Sequence, residues 1–425
     1  MADTIFALSS GRPPAAIAVI RISGPQAHAA GKRFAGGLPN ARTAVVRELR
    51  HPDTGELLDE ALVLRFDAPA SSTGEDVVEL HGHGGRAVVD AVLAALAGID
   101  GLRQAEPGEF TRRAFENGRI DLTEAEGLAD LIEAETESQR KAALALAEGG
   151  LRKQIAIWQE RLLALSAQAE RAIDYDEEDE AVDAALLREC AALAAELRSW
   201  LARPRIERLK DGIRVVIAGP PNAGKSSLIN AIAGEERAIV TEIPGTTRDH
   251  IEVPLSLKGV PILLTDTAGL RETDDPVEAI GVGRAGHLVE AADVLVWLGE
   301  RAAVPDHPRA ILAHAKVDLP GHAEVPVGSI AVSSVTGVGV GPLLTEVERL
   351  ARALLPGEDS IALNRRQAQH LAEAASALDA AAAAREPVLL AENLRLARGA
   401  FDRLTGRAGV EHMLDTLFGR FCLGK

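Results

Sequence analysis

The sequence is nearly free of cysteine. Cys190 and Cys422 are the whole complement, too few for a disulfide framework, and in a cytosolic setting both are expected as reduced thiols. Long apolar runs are missing as well: none approaches the roughly 18 residues of a membrane span, so no membrane contact is expected. The opening stretch Met1-Ala2-Asp3-Thr4-Ile5-Phe6 has no basic flank followed by an apolar segment, which speaks against a secretory signal and for a cytoplasmic location. Positive charge is scarce. With 46 Lys and Arg against 63 Asp and Glu, the formal charge is −17, so a nucleic-acid partner has to be held by a local basic patch against a repelling overall field. There is no fixed-period repeat and no low-complexity tail.

What is present is ordinary globular material, 47% hydrophobic and 26% charged. A chain of 425 residues exceeds what one core usually organises, so two or three domains are expected. Residues 1–118 mix short β-branched runs, such as Ile17 to Ile20 and Ala61 to Leu64, with Gly/Pro turns and an Ala-rich helix near 86–97. That texture predicts an α+β domain. Near Thr123, which has capping-box spacing to Glu126, Ala/Leu/Glu-rich helices begin and run to about 210, broken at Gly149-Gly150 and by the acidic stretch Asp174 to Glu180. That stretch reads as a solvated helix end or linker. Residues 355–425 are helical in texture again and are the natural packing partner of 119–210. Between them, 211–354 alternates apolar strands with helices, the pattern of an inserted parallel α/β domain.

The insert carries the chemistry. Arg214 to Ala218 reads as a buried strand, then comes Gly219-Pro220-Pro221-Asn222-Ala223-Gly224-Lys225-Ser226-Ser227 and a helical stretch. Strand, glycine loop and helix in this order form a phosphate-binding loop: backbone N–H groups turn to the β-phosphate, Lys225 reaches the β/γ oxygens, and the Ser226 hydroxyl can ligate Mg²⁺. A second strand ends in Asp266-Thr267-Ala268-Gly269, where the carboxylate can hold Mg²⁺ through water and the Gly269 N–H can meet the γ-phosphate. Asp318 in Ala315-Lys316-Val317-Asp318 can accept from guanine N1–H and N2–H₂, a pair adenine does not offer, and Ser333-Ser334-Val335 follows where such domains cover the base. Two departures stand out. Leu270 occupies the place where many GTPases carry a water-positioning glutamine, so an acid within Arg271 to Glu278 has to serve. Ala315 replaces the asparagine that usually bonds guanine N7 and braces the phosphate loop, which predicts GTP affinity weaker by roughly 1–2 kcal/mol.

These motifs resemble the translation-factor-related GTPases, and one family within them in particular. Thr241-Glu242-Ile243-Pro244-Gly245-Thr246-Thr247-Arg248-Asp249, Asp266 to Glu272 with Val277-Glu278, Arg21 to Gly24, Gly74 to Gly85, Pro107 to Thr111, Asn117 to Leu122 and the terminal Phe421-Cys422-Leu423-Gly424-Lys425 together resemble the tRNA modification GTPases of the MnmE (TrmE) type along the whole chain. The resemblance implies a GTP hydrolase that joins an MnmG-type partner carrying FAD, as a heterotetramer, to build an aminomethyl-type group at C5 of the wobble uridine of certain tRNAs. It implies a folate one-carbon donor, 5,10-methylenetetrahydrofolate or a relative. That donor would lie near Arg21, Glu79, Arg119 and Lys425 in N-terminal domains that pair as a homodimer. Arg119 stands where the family often has lysine, which keeps the charge and changes the donor geometry. The resemblance further implies K⁺ held by Asn222, Thr241, Ile243 and Thr246, Mg²⁺ held by Ser226 and Thr247, and Glu278 as the group that orients the attacking water. On the residues alone, an exposed carboxylate at a helix start is the lesser alternative for Glu278, since acids are common in first turns.

Other candidates read plainly. His81 and His83 flank Gly82, but the further ligands of a metal site are missing. Cys422 reads two ways, as a nucleophile favoured by Lys425 or as a small thiol packing a helix end; Cys190 reads as core. Arg248 is either a charge for phosphate in trans or a solvated loop residue. A ribosome-assembly GTPase holding rRNA is the competing function, and it leaves Glu79, Arg119 and the C-terminal residues without a role. An iron-transport GTPase would need membrane helices.

Overall fold

The computed structural model describes residues 3–174, 183–235, 252–266, 286–322, 324–357, 361–408, 411–419, 421 and 424. Within them no helix is long and apolar enough to cross a membrane. The chain divides into two compact units, one of Met1–Ala129, Leu146–Ser166 and Arg398–Lys425, the other of Asp130–Ala145 and Ala167–Ala397.

The first unit is built on β1 (Thr4–Leu8), β2 (Ile17–Ser23), α1 (Ala27–Ala35), β3 (Val45–Arg50), β4 (Leu57–Phe66), β5 (Val77–His83), α2 (Arg86–Ala97), β6 (Leu102–Gln104) and α3 (Glu109–Glu116). The strands form one sheet in the order β3-β4-β5-β2-β1-β6. Alternation along them decides the faces. Phe6, Ile20, Ile22, Val78 and Leu80 join Phe34 of α1 and Leu96 of α2 in a buried core. The residues between them point the other way, so Ile5 and Ala7 meet Phe110 of α3, and Arg21 and Glu79, paired across the β2–β5 ladder, share that second face.

The helical stretch opens with α4 (Leu122–Glu133), α5 (Glu137–Ala147) and α6 (Gly150–Asp174). The box that starts α4 is not Thr123 with Glu126. Asp121 accepts from the Glu124 N–H at 3.0 Å while Glu124 takes the Asp121 N–H at 2.7 Å, which moves the cap two residues upstream because aspartate is the better N-cap. Gly149, at φ +77°, makes the break before α6. Farther on come α7 (Ala184–Leu201) and α8 (Glu207–Lys210), then α9 (Lys225–Glu235), α10 (Val340–Arg352), α11 (Arg365–Ala382), α12 (Pro387–Thr405) and α13 (Glu411–Phe418). As the apolar periodicity predicts, the two helical stretches pack on each other: Trp158 of α6 stacks on Phe401 of α12 with ring centroids 6.1 Å apart, and α7 lies along α11. Cys190 is fully buried on α7. Burial pushes its thiol up to about 11, which keeps it an unreactive core group.

The second unit holds the α/β sheet of β7 (Ile213–Ala218), β8 (Glu252–Leu257), β9 (Val260–Asp266), β10 (Val294–Trp297), β11 (Ala310–Ala315) and β12 (Ile330–Val332), in the order β12-β11-β10-β7-β9-β8. All neighbours are parallel except β8 and β9. The expected parallel sheet therefore has one antiparallel edge strand, β8, whose half-buried pattern gave little signal. The centre strands β7 and β9 are buried almost throughout, as strands covered on both faces are.

Candidate functional site

In an open parallel sheet, the loops at the carboxyl ends of the strands form the ligand crevice. Here those ends carry the motifs. β7 runs into the loop Gly219 to Gly224, and α9 starts at Lys225. Two positions of this loop demand glycine: Gly224 has φ +94°, and a Cβ on Gly219, at φ +151°, would stand 2.5 Å from the Leu298 carbonyl oxygen. Lys225 is 8% exposed. Its ammonium donates to the Gly219 and Pro220 carbonyls at 3.1 and 3.0 Å, which folds a cation into the concave side of the loop. The Ser226 hydroxyl donates to Asp266 Oδ2 at 2.6 Å, and Asp266, at the end of β9, is 1% exposed. A buried carboxylate, a hydroxyl and an ammonium thus converge where a helix N-terminus adds positive potential.

The base-side loops lie at the same edge of the sheet. Lys316, with φ +65°, follows β11 and sends its ammonium 2.6 Å to the Asn222 carbonyl. The phosphate loop is therefore braced in spite of Ala315, by a contact between residues 94 positions apart that the sequence did not reveal. Asp318 is exposed two residues on. Buried Ser333 turns its chain by accepting from the Val335 and Thr336 N–H groups at 3.3 and 3.1 Å.

In the first unit, Arg21 and Glu79 form a bidentate pair, Nε and Nη2 each 2.9 Å from Oε1. His81, two residues along β5 and so on the same face, stands 3.1 Å from Oε2, and the Phe110 ring lies 5.5 Å under the Arg21 guanidinium. The hydrogen bond to His81, with Arg21 beside it, holds the Glu79 carboxyl below its usual range against the opposing effect of burial. From the sequence His81 reads only as a candidate metal ligand and Phe110 has no role of its own. The i, i+2 spacing of Glu79 and His81 in a strand was the available signal. His83 does not join them, since it pairs with Asp59 at 2.7 Å. Arg119 sits in the turn after α3, its Cγ 3.1 Å from where a Cβ on Gly74 would stand. The loop holding Gly74 is fixed by Arg113, which bonds Glu75 and Asp3, and by Asn117, which donates to the Thr73 carbonyl at 2.8 Å.

Residues 4–119 match the family model described as the N-terminus of GTP-binding protein TrmE, and residues 122–422 match the MnmE helical domain. The tRNA modification GTPase MnmE of Zymomonas mobilis is 52% identical, covering 99% of this chain and all of that protein. The one of Rhizorhabdus wittichii is 54% identical over all of this chain and 97% of its own. The chain belongs to the MnmE family of tRNA modification GTPases. Among solved structures, the G domain of the T. maritima FeoB iron transporter is 27% identical over 33% of this chain and 98% of its own, with a TM-score of 0.24, too weak a superposition to decide anything. Of the residues that the MnmE motifs single out, Thr241 to Thr247, Thr267, Ala268, Gly269, Glu278, Cys422 and Lys425 lie outside the described residues. Gly424 lies within them. A Cβ on it would come 2.0 Å from the Leu8 carbonyl oxygen, so the backbone at Gly424 lies directly on the end of β1.

Proposed function

We propose that this MnmE-family chain hydrolyses GTP at the loops after β7, β9, β11 and β12, and uses that cycle, with an MnmG-type FAD protein, to form a carboxymethylaminomethyl or aminomethyl group at C5 of uridine 34 in certain tRNAs. The observation that carries it is the convergence of Lys225, Ser226 and Asp266 beneath a glycine loop braced by Lys316. The oxygen donors fit Mg²⁺, a hard cation that takes a hydroxyl and a carboxylate reached through water; Ser226 with Thr247 would hold it. Asn222, Thr241, Ile243 and Thr246 would hold K⁺. Both ions supply positive charge against the charge that develops on the phosphates. Lys225 leaves the loop carbonyls for the β/γ oxygens, Asp318 accepts from guanine, Ser334 and Val335 cover the base, and Glu278 orients the water that Leu270 cannot hold.

For the N-terminal sheet, the reading is a folate site. The Glu79 carboxylate, kept ionised by His81 and Arg21, retains lone pairs for the donor edge of a pterin, and Arg119 and Lys425 suit the carboxylates of a glutamyl tail. A bound folate supplies the one-carbon unit. The domains run 1–118, 119–210, 211–354 and 355–425. The first pairs as a homodimer, which an MnmG-type dimer completes as a heterotetramer in the cytoplasm.

The function is tested on the nucleotide. In K⁺ and Mg²⁺ the purified chain should release phosphate from GTP and hardly any from ATP, since only guanine satisfies Asp318. Equal turnover of the two would overturn the base assignment. A finer expectation concerns Ala315→Asn. Lys316 already provides one of the two contacts that the missing asparagine makes elsewhere, so restoring the amide adds about one hydrogen bond, ~1 kcal/mol or roughly fivefold tighter GTP and GDP alike. Turnover should not change, because the gain is uniform binding energy. Titration with a fluorescent nucleotide reads it, and unchanged affinity would show that position 315 does not reach the base.

A further inference from the structure

Asp318 can tell guanine from other bases only if its carboxylate is held in one place, and the structure shows what holds the loop that carries it. Two turns in series follow β11. The first is closed by the Leu319 N–H on the Lys316 carbonyl at 2.9 Å, the second by the His322 N–H on the Leu319 carbonyl at 3.1 Å. Proline at the second position and Gly321, at φ +86°, at the third make Leu319-Pro320-Gly321-His322 a type II turn. Tying the ends of such a surface loop removes conformational freedom that it would otherwise keep.

The tie is a side chain. His314 Nε2 lies 3.0 Å from the His322 carbonyl oxygen, and the two imidazoles are neighbours, tilted by 36° with centroids 5.9 Å apart. A carbonyl can only accept, so Nε2 carries the hydrogen. His314 is itself fixed: it belongs to β11 and pairs with Ala331 of β12 in the sheet. The base-reading loop is thus closed onto a strand by residue 314, beside the position where Ala315 has given up a side chain that could anchor anything.

We propose that His314 is a positioning residue for guanine recognition, a clasp that holds the Asp318 loop in register with the phosphate loop in the absence of an asparagine at 315. This rests on the reading of Asp318 as the base reader. The clasp acts through the loop backbone and touches no nucleotide atom. Its signature is selectivity rather than stability.

The experiment measures GDP and IDP affinity on the full chain by competition with a fluorescent GDP. Inosine lacks the 2-amino group and forfeits one of the two hydrogen bonds that Asp318 accepts, so the GDP-to-IDP affinity ratio reports how well that carboxylate is placed. His314→Ala should lower the ratio by roughly fivefold, the scale of one hydrogen bond. His314→Gln, whose amide N–H₂ can donate to the same carbonyl, should recover most of it. A ratio unchanged in His314→Ala, or lowered equally by both substitutions, would overturn the clasp. Asp318→Asn separates the two levels: it should shift preference from GDP toward xanthosine diphosphate, whose C2 carbonyl accepts from an amide. If Asp318→Asn shifts the preference while His314→Ala leaves the ratio alone, the clasp is wrong and the base reader stands. If Asp318→Asn changes nothing, the base assignment falls, and the clasp with it.

Discussion

Glu278→Ala is expected to cut GTP turnover by about a hundredfold or more, the scale of a lost group that prepares a nucleophile, while GDP and GTP affinity stay nearly unchanged. Leucine at 270 is the reason. Its side chain has no donor or acceptor, so it cannot fix the attacking water in line with the γ-phosphate, and the family resemblance gives that work to Glu278. A carboxylate that acts only as the transition state forms contributes to turnover and not to ground-state binding. On the proposed K⁺ site, hydrolysis is likewise expected to depend on the cation, with slower turnover when Na⁺ replaces K⁺. Phosphate release measured beside nucleotide affinity checks both points. A Glu278→Ala chain that turns over normally would return Glu278 to an exposed helix-start carboxylate.

Deleting Leu423 to Lys425 is expected to abolish tRNA modification while GTP hydrolysis persists. The separation follows from where Gly424 lies. Gly424 packs its backbone on the Leu8 carbonyl with no room for a side chain. Ala7, the residue before Leu8, stands opposite Arg21 in the β1–β2 ladder, and Arg21 grips Glu79 at 2.9 Å. Gly424 therefore lies at the edge of the face where the folate reading places its ligand, in the unit that does not contain Lys225 or Asp266. Nucleoside analysis of tRNA together with phosphate release separates the outcomes. Modification that survives the deletion would remove the tail from the chemistry.

How much of this was legible depended on the distance over which each feature is determined. The phosphate loop is local, a strand, two demanding glycines and a helix start in one stretch, and the structure has β7, that loop and the start of α9 at Lys225 in the expected order. The helical stretches were legible from periodicity, but the start of α4 was misplaced by two residues because Asp121 and Thr123 are both competent caps, and only the bonds made by Asp121 decide between them. The Arg21–Glu79 pair joins residues 58 positions apart and came into view only through the family motifs. His81 was weighed as a metal ligand and proves to be the partner that holds Glu79 ionised. The Lys316 brace was invisible for the same reason of distance. Sequence spacing says which residue types stand in a loop, and it does not say which distant carbonyl a long flexible cation will reach.

The most direct test of the whole account couples the two halves of the chain. The purified protein is combined with an MnmG-type FAD protein, a one-carbon folate and tRNA lacking the modification, and wobble-uridine nucleosides are measured by mass spectrometry with GTP or with a non-hydrolysable GTP analogue. The account predicts modified uridine with GTP in K⁺ and almost none with the analogue, because hydrolysis and not occupancy drives the cycle. Full modification with the analogue would contradict it.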